Sequence, residues 1–160
     1  MQAENSMIKD VMIRVTSLQR NDSGQDEKIS LETPGKFGIQ KGFSYITYQE
    51  TELTGMEGTT TSLRFYPDSV NLVRVGKILQ QQEYKPGEVT YSQYETPFGT
   101  LQMGVHTRGL ENTISGGSGH MRIAYDIDLD GVFCHYNELT VDVWEDPEKH
   151  GNKGAAETTD

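Results

Sequence analysis

The sequence predicts an all-β fold, an antiparallel up-and-down meander of about eight to ten strands, and three observations carry that reading. Apolar and polar residues alternate with a period of two, as in Val11, Ile13 and Val15 against Met12, Arg14 and Thr16, and Leu101, Met103 and Val105 against Gln102, Gly104 and His106. Turn-forming residues recur at short intervals, at Asn21-Asp22-Ser23-Gly24, Thr33-Pro34-Gly35, Tyr66-Pro67-Asp68-Ser69, Lys85-Pro86-Gly87 and Thr96-Pro97-Phe98-Gly99. No segment of helical length keeps a 3.6-residue period, so helix is limited to a single turn around Thr107 to Asn112.

In chain order, the first strand falls near residues 8–20 and a second at 26–33, broken at Thr33-Pro34-Gly35. Short aromatic-rich strands follow at Lys36 to Gln40 and Phe43 to Glu50. Thr59 to Tyr66 and Val70 to Val75 form a hairpin, with Pro67 presetting φ for a type I turn. Its register pairs Phe65 with Val70, Leu63 with Leu72 and Thr61 with Arg74. Arg74 then shares a face with Leu63, Phe65 and Leu72. If that face is interior, the guanidinium needs an acidic or carbonyl partner there, or a ligand anion. The more ordinary alternative puts Val73 and Val75 inward and leaves Arg74 in solvent.

Strands at 78–84 and 88–95 flank Lys85-Pro86-Gly87, and the run through Leu101, Met103 and Val105 follows the Pro97-Gly99 turn. Ser115 to Gly119, SGGSG, is read as a flexible connector, and the polar tail over 147–160 as disordered. Residues 8–146 thus form a single domain. A meander of this kind either stacks as a sandwich or closes into a barrel, and closure removes exposed edges.

The most informative segment is His120 to Trp144, one long hairpin. Met121, Ile123, Tyr125 and Ile127 share a face of its first strand, and Phe133, Leu139, Val141 and Val143 a face of its second. A two-residue loop at Asp130-Gly131 sets these rows on opposite sides of the sheet. A three-residue loop, Leu129-Asp130-Gly131, restores them to one side, with Gly131 supplying a positive φ. Ile127 then faces Phe133, Tyr125 faces His135, Ile123 faces Asn137, and Arg122 opposes Glu138 on the reverse face. Tyr125, His135 and Asn137 consequently lie among the aliphatic residues. They either satisfy one another within an ordinary core, the commoner outcome, or line a ligand-filled cavity.

Composition sets further bounds. The 160 residues are 34% hydrophobic and 24% charged, with net charge −10, mean hydropathy −0.63 and a pI near 4.8. That charge disfavours a nucleic acid partner, which requires clustered Lys and Arg. No segment approaches the ~20 apolar residues of a membrane span, and the opening residues lack a signal-peptide pattern, so no membrane partner and a cytoplasmic location are expected. The single cysteine, Cys134, lies within a strand and is read as unreactive.

The pieces TGMEGTTTSLRF, LVRVG, YETPFGTLQM, GHMRIAYDIDLDG and HYNELTVDV resemble the YwiB-like bacterial family, a domain family of unknown function. The resemblance covers roughly residues 8–146, and its most specific pieces are Tyr94 to Met103, Ile123 to Asp126 and Asn137 to Val143. It implies a calycin-like, lipocalin-like β-barrel and carries over no catalytic residues.

No cofactor is implied by motif. Nucleophile elbow, Walker, Rossmann and CxxC patterns are lacking, and neither Glu50 nor Glu95 stands out as an acid or base in so acidic a chain. Asp126, Asp128, Asp130 and Gly131 imitate the start of a calcium loop, yet Asn137 occupies the position that needs a bidentate Glu. The segment is therefore read as a β-turn, and no metal is assigned. The leading expectation is a non-enzymatic barrel binding a small molecule through Tyr125, His135, Asn137 and Arg74. The alternative is a protein-interaction or homodimerising module with a filled core, and an enzyme ranks last.

Overall fold

The computed structural model describes residues 8–76 and 79–146. The tail expected over 147–160 lies outside the described residues, as does Ile78 at the start of the strand expected at 78–84. Ten strands are present among the described residues: β1 (Lys9–Asn21), β2 (Asp26–Gln40), β3 (Phe43–Gln49), β4 (Thr60–Tyr66), β5 (Ser69–Val75), β6 (Gln80–Tyr84), β7 (Val89–Thr96), β8 (Gly99–Asn112), β9 (Gly119–Leu129) and β10 (Val132–Glu145).

They form one antiparallel sheet in the order β6-β5-β4-β3-β2-β1-β10-β9-β8-β7. The first and last strands pair along nearly their whole length, from Val11 opposite Glu145 to Asn21 opposite His135. The two ends of the order, β6 and β7, are joined by the turn in which Glu88 N donates to Lys85 O at 3.0 Å. The sheet therefore curls into a nearly closed barrel, and between β6 and β7 side chains replace a strand ladder. Thr90 Oγ1 of β7 donates to Glu83 O of β6 at 2.5 Å, and Gln82 Nε2 of β6 reaches past β7 to Met103 Sδ of β8 at 3.1 Å.

Four local expectations are corrected. Pro34 does not end a strand, because β2 runs unbroken through it. At Pro34 the strand pairs with Met12 of β1, while its ladder to β3 begins only at Lys36, so the missing N–H costs that second ladder nothing. At Gly35 the neighbouring chain comes too close for a side chain, since an added Cβ would stand 2.4 Å from Ile13 Cδ1 and 2.6 Å from Thr47 O. Thr107 to Asn112 is not a helical turn but the end of β8, bulged at Arg108, whose guanidinium Nη2 lies 2.7 Å from Asp126. Ser115 to Gly119 is not a loose connector. Ser115 and Ser118 exchange backbone hydrogen bonds of 2.9 and 3.2 Å, in a tight turn with positive φ at Gly116 and Gly117.

The fourth correction concerns the long hairpin. Leu129 pairs with Val132 across a two-residue Asp130-Gly131 loop, with φ of 51° and 84° at the two loop residues, as a type I′ turn requires. Parity is restored further along, by a bulge at Cys134 between Phe133 and His135. Beyond it His135 opposes Ile127, Asn137 opposes Tyr125 and Leu139 opposes Ile123. The face assignment of Tyr125, His135 and Asn137 stands, but Phe133 is 46% exposed. Arg122 is opposite Thr140, and reaches Glu138 diagonally at 3.1 Å.

Inside the barrel, Val11, Ile13, Phe37, Ile46, Leu63, Met121, Ile123, Val141 and Val143 form a continuous apolar core. The outer face of β2-β1-β10 is charged, with Arg14 paired to Glu32 at 2.9 Å and Arg20 to Asp26 at 2.8 Å.

Candidate functional site

Each inward row of side chains changes character along its strand. β1 runs from Val11, Ile13 and Val15 to Ser17 and Gln19, and β10 from Val143, Val141 and Leu139 to Asn137 and His135. Gln19 pairs opposite Asn137, so these polar ends coincide. β5 runs from Val70 and Leu72 to Arg74, and its partner β4 from Phe65 and Leu63 to Thr61. Ser17, Gln19, His135, Asn137 and Arg74 surround a cavity of about 330 Å³, with Leu31, Leu72, Met103, Ile127 and Leu139 supplying apolar wall. Thr54 and Met56 of the β3–β4 loop and Tyr94 of β7 also line it.

Tyr125, His135, Asn137 and Arg74 all line this cavity. For Arg74 the ordinary expectation is overturned: Leu63, Phe65 and Leu72 are buried, Val75 is 54% exposed, and the Arg74 side chain is only 19% exposed. It finds the acidic partner that an interior guanidinium needs. Arg74 Nε lies 3.7 Å from Glu50, whose side chain is 2% exposed. The Glu50 carboxylate accepts from Thr54 Oγ1 at 2.9 Å and from Thr61 Oγ1 at 2.5 Å. Arg74 donates from Nε to Thr61 Oγ1 at 3.3 Å and from Nη1 to Gln80 Oε1 at 3.1 Å.

Two smaller groups complete the wall. Asn137 Nδ2 donates to His135 Nδ1 at 2.8 Å, which leaves the proton of a neutral His135 on Nε2. Burial pushes the His135 pKa down, in keeping with a neutral ring. Tyr84 and Tyr125 pack with ring centroids 4.7 Å apart at 57°, and the Tyr84 hydroxyl donates to Gln82 Oε1. Burial raises the pKa of both phenols, with Tyr125 adding to the rise at Tyr84. Tyr48 is raised too, by burial first and then by the neighbouring Glu50 carboxylate.

A family model described as Domain of unknown function (DUF1934) matches residues 13–141. The chain belongs to that family. Among solved structures, the ywiB protein from Bacillus subtilis matches this DUF1934 chain with a TM-score of 0.78 and 22% identity, over 89% of this chain and 96% of that one. At that identity the likeness concerns the fold. No curated protein matches.

Several wall residues of the DUF1934 domain escape sequence reasoning. Glu50 is one of many carboxylates along the chain, and only the β3–β4 ladder, with Tyr48 opposite Thr61, brings it beside Arg74. Gln80, Gln82 and Tyr84 had a readable signal, since they alternate along β6 and share a face with one another.

Proposed function

We propose that this DUF1934 domain is a non-enzymatic binding protein that takes a small molecule into the polar end of its barrel. The observation that carries the reading is the cavity itself: about 330 Å³, within the ~300–1,000 Å³ range of small-molecule sites, with an apolar wall and a few converging polar groups. Binding is favoured over catalysis because the groups with base character are already engaged. Glu50 accepts from Thr54 and Thr61, and His135 Nδ1 from Asn137.

Thermal denaturation across a metabolite and lipid panel tests this. A true ligand at about a hundred times its Kd stabilises the fold by ~2.7 kcal/mol, and Ser17→Phe, which fills the cavity from β1, removes the shift. A panel that moves neither protein contradicts the reading. A second reading, self-association, is supported by Tyr91 and Phe98, which are 62% and 98% exposed on β7 and its turn. Sedimentation of a dimer that Tyr91→Ser converts to monomer would favour it.

A further inference from the structure

The hydrogen bonds already made around the cavity specify the chemistry of its guest, an inference that rests on the binding function proposed for the barrel. Gln80 Oε1 accepts from Arg74, and because a guanidinium can only donate, this fixes the amide with its NH₂ group left over. Gln82 is fixed in the same sense, its oxygen taking the Tyr84 hydroxyl and its nitrogen turned to Met103 Sδ, an atom that cannot donate and accepts only weakly. His135, with Nδ1 occupied, offers Nε2–H. Arg74 commits Nε and one hydrogen of Nη1, so among the described residues Nη2 and the second Nη1 hydrogen carry no hydrogen bond.

The wall therefore offers donors from Gln80, His135 and Arg74, its one cation among the described residues, which keeps N–H groups free at its Nη1/Nη2 fork. Asn137, its Nδ2 given to His135, leaves a carbonyl oxygen as an acceptor. The opposing Glu50 carboxylate is held by two hydroxyls and stands 3.7 Å from Arg74 Nε, so it balances the guanidinium charge without occupying that fork. Leu31, Leu72, Ile127 and Leu139 give the rest of the wall an apolar character. We propose that the guest is a small organic carboxylate, its two oxygens on the Nη1/Nη2 fork of Arg74 and its apolar body against these aliphatic side chains. A bidentate guanidinium–carboxylate contact is the geometry that such a fork favours. A doubly charged phosphate fits less well, because the described wall supplies no second cation beside Glu50.

Isothermal titration with matched probes tests the assignment: hexanoate, octanoate, decanoate and phenylacetate against hexanol, octanol, decanol and phenethyl alcohol. The carboxylates are expected to bind about tenfold or more tightly than the matched alcohols. Arg74→Gln should erase that preference, while Arg74→Lys, which keeps the charge but loses the fork, retains only part of it; unfolding curves of both variants establish that they are folded. Equal binding of acids and alcohols, or an acid preference that survives in Arg74→Gln, overturns the carboxylate assignment and leaves the cavity reading standing. Failure of every probe to bind overturns both.

Discussion

The barrel interior has two halves built from the same strands. In one, Val11, Ile13, Met121, Ile123, Val141 and Val143 pack into a dry core, with Val143 3% exposed and Ile13, Ile123 and Val141 wholly buried. In the other, further along β1 and β10 and at the ends of β3 and β5, Ser17, Gln19, His135, Asn137, Glu50 and Arg74 surround a cavity. The hydrophobic effect and close packing account for the first half. They do not account for the second, where each polar group carries a desolvation cost that an aliphatic residue would avoid. The contrast separates a stability-bearing pole from a pole arranged around something other than stability.

That division can be broken at either pole. The largest loss is expected in the packed half: Ile123→Ala removes a wholly buried side chain and should cost about 4 kcal/mol in urea denaturation. A loss under ~1 kcal/mol would show that this pole is loosely packed. At the hollow pole, Arg74→Met leaves the Glu50 carboxylate with hydroxyl partners alone and should cost ~2 kcal/mol, less than a fully buried pair because Arg74 retains some exposure. Arg74→Met combined with Glu50→Leu should recover most of that loss, since removing both charges abolishes the unpaired one.

A smaller effect concerns pH. Burial holds the His135 pKa below its usual value, so the unfolded chain takes up this proton before the folded one. The stability linked to His135 is intact above about pH 6.5 and is lost progressively as pH falls through the lowered folded value. Urea midpoints measured on both sides of that window should fall less in His135→Gln than in the parent chain. An identical fall would place the acid sensitivity elsewhere.

How much of this was legible in the sequence differs between the two hairpins. In β4–β5 the turn is short, no bulge intervenes and the register read from Pro67-Asp68 is the one observed, down to Thr61 opposite Arg74. In β9–β10 the faces were legible but the device that aligns them was not. The apolar rows demanded a parity correction, which a loop residue or a bulge satisfies equally well, and the chain uses a bulge at Cys134. Pro34 misled for a related reason, because a strand with a neighbour on only one side tolerates a residue that a fully paired strand rejects. Of the site, Tyr125, His135 and Asn137 followed from periodicity, whereas the Arg74 and Glu50 pairing depends on a contact between β5 and the end of β3 that no local pattern encodes.

The most direct measurement is native mass spectrometry of the full chain as purified, compared with Ser17→Phe. The parent protein is expected to carry an added small mass that collisional activation removes, and the filled variant to appear at its bare mass. A parent protein at bare mass, or the same adduct retained on both proteins, would contradict a guest in the polar half of the barrel.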